Sequence, residues 1–142
     1  MLLVFFRHME VSCKAPLGHP LSRRLTVLGL LTGLGACGVA AFPFHVSHDA
    51  HNTFALLFFF GGATYMAAHT WLDFKHLCST LFIRWIRLVA TLVSFVSILA
   101  TIALLGANRS GALTERTALM TASAFEIVCF AFFLVYWGAS VE

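Results

Sequence analysis

The run Leu88-Val-Ala-Thr-Leu-Val-Ser-Phe-Val-Ser-Ile-Leu-Ala-Thr-Ile-Ala-Leu-Leu105 contains no charged side chain. As a helix rising 1.5 Å per residue it would extend ~27 Å, close to the ~30 Å of hydrocarbon in a bilayer. Three more apolar stretches of similar length flank it, so the predicted crossings are 25–44, 53–71, 88–105 and 117–137. Strands of a membrane barrel would alternate polar and apolar residues. Ala55-Leu-Leu-Phe-Phe-Phe60 and Phe130-Ala-Phe-Phe-Leu-Val135 do not alternate. The expected fold is therefore all-α, a four-helix transmembrane bundle.

Composition supports this environment. Of 142 residues, 60% are hydrophobic and 11% charged, against about 45–50% and about 25% in ordinary soluble domains. A soluble domain of this size could not cover so much apolar surface, whereas lipid can surround it. The formal charge is +3, but lysines and arginines occur in ones and twos. That pattern gives no basic stripe to follow a phosphate backbone, and nucleic acid is not an expected partner. The four cysteines are single and widely spaced, without the paired spacing of zinc or redox sites, and free thiols are expected. At the N-terminus the first positive charge, Arg7, follows the apolar run instead of preceding it, the reverse of a secretory signal.

Topology follows from the basic residues. Arg7, Lys14, Arg23, Arg24, Lys75, Arg84 and Arg87 make seven on one side, against Arg109 and Arg116 on the other. The positive-inside rule puts the larger group, and with it both termini, in the cytoplasm. Residues 1–24 then form a cytoplasmic N-terminal segment and 25–142 a four-span membrane domain. Asn108-Arg109-Ser110 is a candidate glycosylation site on the outer side.

Glu126 lies near mid-membrane in the last crossing, where an acidic side chain costs on the order of 3 kcal/mol even on the lenient insertion scale. It is the leading intramembrane functional candidate, as a proton or ion relay or a ligand contact. The plainer alternative is a hydrogen bond to a group such as Thr64, Tyr65, Ser94 or Ser97. In the first outer loop, His45, His48 and His51 repeat every three residues around Asp49. On a helix they would share a face and could offer nitrogens to a metal; as solvated imidazoles they could sense compartment acidity, or they serve neither purpose. Gly29 and Gly33 begin a small-residue face suited to close helix packing, against an internal helix, another membrane protein or a second copy. His69, Asp73, Lys75 and His76 read chiefly as interfacial anchors beside the aromatic-belt residues Trp71 and Trp85. Cys13 and Cys78 are candidate palmitoylation sites. No phosphate-binding loop or nucleophile elbow is present in the sequence, and neither enzymatic activity nor a cofactor is expected.

The order of these features resembles the FRAG/DRAM/Sfk family, which includes the damage-regulated autophagy modulators. The resemblance runs from about Ser22 to Glu142, through Leu28-Gly-Leu-Leu-Thr-Gly-Leu-Gly-Ala-Cys-Gly38, His48-Asp49, Ala67-Ala-His-Thr-Trp-Leu-Asp-Phe74, Ile83-Arg84 and Ser123-Ala-Phe-Glu126. Ile127 stands where the family usually has Trp. Members typically have six spans, so the resemblance implies that these are the last four, with Val4-Phe-Phe-Arg7 similar to the end of the second. It implies a noncatalytic regulator in autophagy and lysosomes or in membrane-lipid signalling, at endolysosomal, Golgi or plasma membrane. The rival expectations are a proton- or ion-coupled transporter using Glu126 and a GPI-anchor lipid-remodelling factor. A claudin-like junction protein is disfavoured because neither outer loop contains a cysteine pair.

Overall fold

The computed structural model describes residues 20–76, 80–111 and 114–139. They form four helices, α1 (Pro20–Ala41), α2 (His48–His76), α3 (Leu81–Arg109) and α4 (Glu115–Gly138). No strand occurs among the described residues.

Local chemistry explains the boundaries. Pro20 suits a first helical position, where its missing N–H is not needed and its φ is already helical. Pro43 stops α1, since it restricts the residue before it and cannot donate to the helix ladder. Asp49 in the first turn of α2 complements the helix dipole. The Thr114 hydroxyl accepts from the Thr117 amide to cap α4. After α3, Gly111 takes a φ of 76°, a left-handed position that glycine adopts without strain. Helices α2, α3 and α4 extend past both ends of the stretches predicted from hydropathy, because an apolar run marks only the lipid-facing length, whereas α1 starts earlier, at Pro20, and stops at Ala41, short of the predicted 44, where Pro43 interrupts it.

Three of them are long and apolar enough to cross a membrane by themselves, over Arg24–Ala41, Leu81–Asn108 and Leu119–Gly138. Only 28%, 28% and 22% of these segments is buried in the bundle, so most of their apolar surface requires lipid. Helix α2 is as long as α3, at 29 residues. Its lower apolar content comes from exposed polar residues such as Asp49, Asn52 and Lys75 and from polar residues it turns inward, among them His69, Thr70 and Asp73.

Side-chain contacts fix the register. Phe58 meets Gly35 and Phe54 meets Gly38, so α1 and α2 are antiparallel. Thr70 pairs with Thr91 and Asp73 with Arg87, which makes α2 and α3 antiparallel. Cys129 donates to the Ser94 carbonyl at 3.8 Å and Arg87 to that of Ala139, so α4 runs back along α3. The result is an up-down-up-down bundle. Its apolar core centres on Met66, Leu72, Ile98, Cys129 and Phe133.

The α1 face that meets α2 is Leu25, Gly29, Thr32, Gly35 and Gly38. Gly29 is buried there, whereas Gly33 is half-buried beside it. The closest approach falls at Gly35, where an added Cβ would stand 2.7 Å from the Phe58 amide nitrogen. At Gly38 it would run into the Phe54 ring. An internal helix, α2, thus occupies this stretch of the small-residue face. Gly61 and Gly62 do the same job facing Thr32 and the Phe133 ring.

Candidate functional site

The bundle treats its two ends differently. At the end where α2 leads to α3, Asp73 and Arg87 form a fully covered ion pair, with 0% and 1% of their side chains exposed. The other arm of the Arg87 guanidinium donates to the Ala139 carbonyl at 2.9 Å, and its plane lies over the Tyr136 ring. The Tyr136 hydroxyl donates to the Met66 carbonyl at 3.3 Å. Thr70 and Thr91 share a hydrogen bond, and Thr91 donates to the Arg87 carbonyl. One arginine therefore ties α2, α3 and the end of α4 together. His69, 2% exposed, packs on Tyr65, which stacks on Trp137.

This corrects the anchor reading of His69 and Asp73, which are core residues. The reading suits their neighbours better. Lys75 lies over the exposed Trp71 ring, and Arg84 faces Phe74 next to the exposed Trp85. Arg87 was the partner the sequence reading missed, because a positive charge near a loop was assigned to the loop. The available signal was reflection: Asp73 and Arg87 lie at comparable distances on either side of the α2–α3 connection, where antiparallel helices bring side chains together.

The other end is open. Glu126 sits at the middle of α4. It has no hydrogen-bond or ion-pair partner among the described residues. The expected bonds to its candidate partners are not made. Thr64 is exposed, Tyr65 stacks on Trp137 toward the opposite end, and Ser94 and Ser97 are buried, Ser94 with its carbonyl accepting from Cys129.

Glu126 instead borders two adjoining cavities. The smaller, of about 130 Å³, is apolar and lined by Phe59 and Phe60 of α2, Ile98 and Ile102 of α3, and Cys129 of α4. The larger, of about 520 Å³, leads toward the α1–α2 turn and brings together His51, Asn52, Asn108 and Ser123. Leu105 lines both.

The remaining candidates separate. His48 and His51 lie in the first turn of α2, packed around Phe44 with ring centroids 4.0 and 5.6 Å from it, while His45 is exposed in the preceding turn. The Nδ1 of His51 donates to the Phe42 carbonyl at 2.9 Å, which engages that nitrogen. Among the described residues no three His, Cys, Asp or Glu side chains converge as metal ligands, so the three-histidine ligand set does not form. Asn108 lies in the last turn of α3 with its side chain on the larger cavity. Cys13 and Cys78 lie outside the described residues. Of the other two cysteines, Cys37 is exposed and Cys129 buried.

Comparison with curated proteins and with solved structures gave no match. Comparison with family models did, and over a longer stretch than the resemblance from Ser22 onward. The Frag1/DRAM/Sfk1/Cwh43P N-terminal domain matches residues 1–141, and this chain, with its lipid-requiring helices, is an integral membrane protein of that family.

Proposed function

We propose that the protein is a noncatalytic membrane regulator of the DRAM-like kind, acting in lysosomal autophagy or membrane-lipid signalling through the helix faces it shows to lipid and to other membrane proteins. In this reading α2 is the fourth crossing, both termini are cytoplasmic, and the Asp73–Arg87 end lies toward the cytoplasm. Removing the buried Arg87 from the loop charges leaves six basic residues against two, and the orientation is unchanged.

The observation that carries the proposal is the use made of the inward polar side chains. Asp73, Arg87, Thr70, Thr91 and Tyr136 are engaged in ties between helices, while the outer surface is broad and apolar, with Leu92, Val96, Leu99, Ile127 and Leu134 all exposed. Such a body acts by what it packs against. Deleting the gene and measuring autophagic flux and inositol-lipid distribution, with the tagged protein localised in parallel, tests this. A change in either readout at the membrane where the protein resides is expected, and no change in both would sink the proposal.

The rival carrier reading rests on Glu126. Against it, the other half of the bundle is filled by the buried side chains of Tyr65, Met66, His69, Arg87 and Tyr136. Proton or solute flux in liposomes that disappears in Glu126→Gln would favour the carrier.

A further inference from the structure

We propose that the groove around Glu126 is a binding site for a cationic single-chain amphiphile, with its amine on the Glu126 carboxylate and its hydrocarbon along Phe59, Phe60, Ile98 and Ile102.

The first step is the carboxylate. A charge placed in an apolar environment has to be paired or neutralised. The bundle supplies that pairing for Asp73, through Arg87, and supplies none for Glu126 among the described residues. Among the described residues only His51, on the same larger cavity, acts on its charge, and it does so without a direct ion pair, so the carboxylate is open to a proton or a cation that enters the groove. Among the described residues, the other titratable side chains on the two cavities are His51 from α2 and Cys129 from α4 itself, and α3 contributes Thr101, Asn108 and hydrocarbon.

The second step is the shape. Glu126 stands where an apolar compartment joins one edged with hydrogen-bonding groups. At about 130 Å³ the apolar part is close to the ~150 Å³ of an engineered cavity that takes up benzene. It therefore has room for a short stretch of hydrocarbon, and the exposed Leu56, Phe60 and Ile102 leave its wall open to lipid for the rest of a chain. The larger compartment offers His51, Asn52, Asn108 and Ser123 to the head group.

The third step is charge complementarity. Among the described residues no lysine or arginine lines either cavity. A phosphate or carboxylate head would meet the Glu126 charge with only the imidazole of His51 beside it among the described residues, whereas an ammonium group would meet its counter-charge in a low-dielectric setting, where such a pair is strongest.

The test uses the full chain in phosphatidylcholine nanodiscs and three diazirine-bearing probes of equal chain length: a long-chain amine, an alcohol and a carboxylic acid. The amine is expected to crosslink to the Glu126-side halves of α2, α3 and α4 at least tenfold more efficiently than the acid, and to exceed the alcohol. Glu126→Gln is expected to abolish the preference for the amine, and Ala55→Phe, which fills the apolar compartment, to reduce labelling by all three probes. Equal labelling by alcohol and amine, preferred labelling by the acid, or an amine preference that persists in Glu126→Gln overturns the proposal. The probe comparison on the unaltered chain decides the matter even if a variant does not fold, and none of these outcomes bears on autophagic flux.

Discussion

At one end of the bundle a carboxylate, Asp73, is completely covered and locked to Arg87; half a helix length away a second carboxylate, Glu126, faces a groove without an ion-pair partner among the described residues. The two acids have similar chemistry and opposite surroundings. Asp73 is tied to two more helices through Arg87, so its charge becomes a fixed part of the packing. Glu126 has no such tie among the described residues and borders two cavities instead. In a membrane helix, the depth of an acidic residue identifies its cost, but only its neighbours tell whether that cost is met internally.

Breaking the closed end should have the largest effect. Arg87→Ala strands the Asp73 charge in a covered site and is expected to cost about 3–5 kcal/mol of stability, read as a shift in denaturant-induced unfolding of the purified protein in detergent. Replacing both partners, Asp73→Leu with Arg87→Leu, removes the stranded charge and should recover most of that loss. A double variant no more stable than Arg87→Ala would show that the arginine acts through its other contacts, on Ala139 and Tyr136, and not through the ion pair.

The next effect comes from the contact that holds α1 to the bundle. Gly35→Val places a side chain against the Phe58 nitrogen and the Phe54 carbonyl oxygen. These are backbone atoms that cannot rotate away, so a loss of about 1–3 kcal/mol or more is expected. Gly106 gives the contrast from the open half, with nothing within 4 Å of an added Cβ. Gly106→Ala should leave stability unchanged or raise it by up to about 1 kcal/mol, through helix propensity alone. Equal losses at both glycines would remove the distinction between a packed and an open half.

The sequence made the helices legible because a crossing needs uninterrupted apolar length, and Leu88 to Leu105 can be little else. The helix ends were less legible. Residues such as Asp73 and His76 are polar enough to resemble a loop, although the backbone continues helical to His76. Depth along a helix could also be read, and it singled out Glu126. Facing could not, because it depends on which helices become neighbours. The same limit hid the Asp73–Arg87 pair, whose members stand fourteen residues apart in the chain and in hydrogen-bond contact across a helix interface. It also left the small-residue face without a definite partner until Phe54 and Phe58 were placed on it.

The smallest expected effect tests the comparison most directly. Glu126→Gln keeps the shape of the side chain and removes its charge. Because no ion pair or hydrogen bond among the described residues is lost, unfolding in detergent should shift by no more than about 0.5 kcal/mol, the range of substitutions that break no specific interaction. Asp73→Asn is the matched control: it leaves the buried Arg87 without its counter-charge, and about 3–5 kcal/mol should be lost. A loss at Glu126 approaching that at Asp73 would mean that the chain itself satisfies this carboxylate, and the open groove would then be a second closed site with no need of a ligand. Near-neutrality at Glu126 alongside a large loss at Asp73 would instead establish that one carboxylate holds the bundle together while the other is free to meet what enters from the membrane.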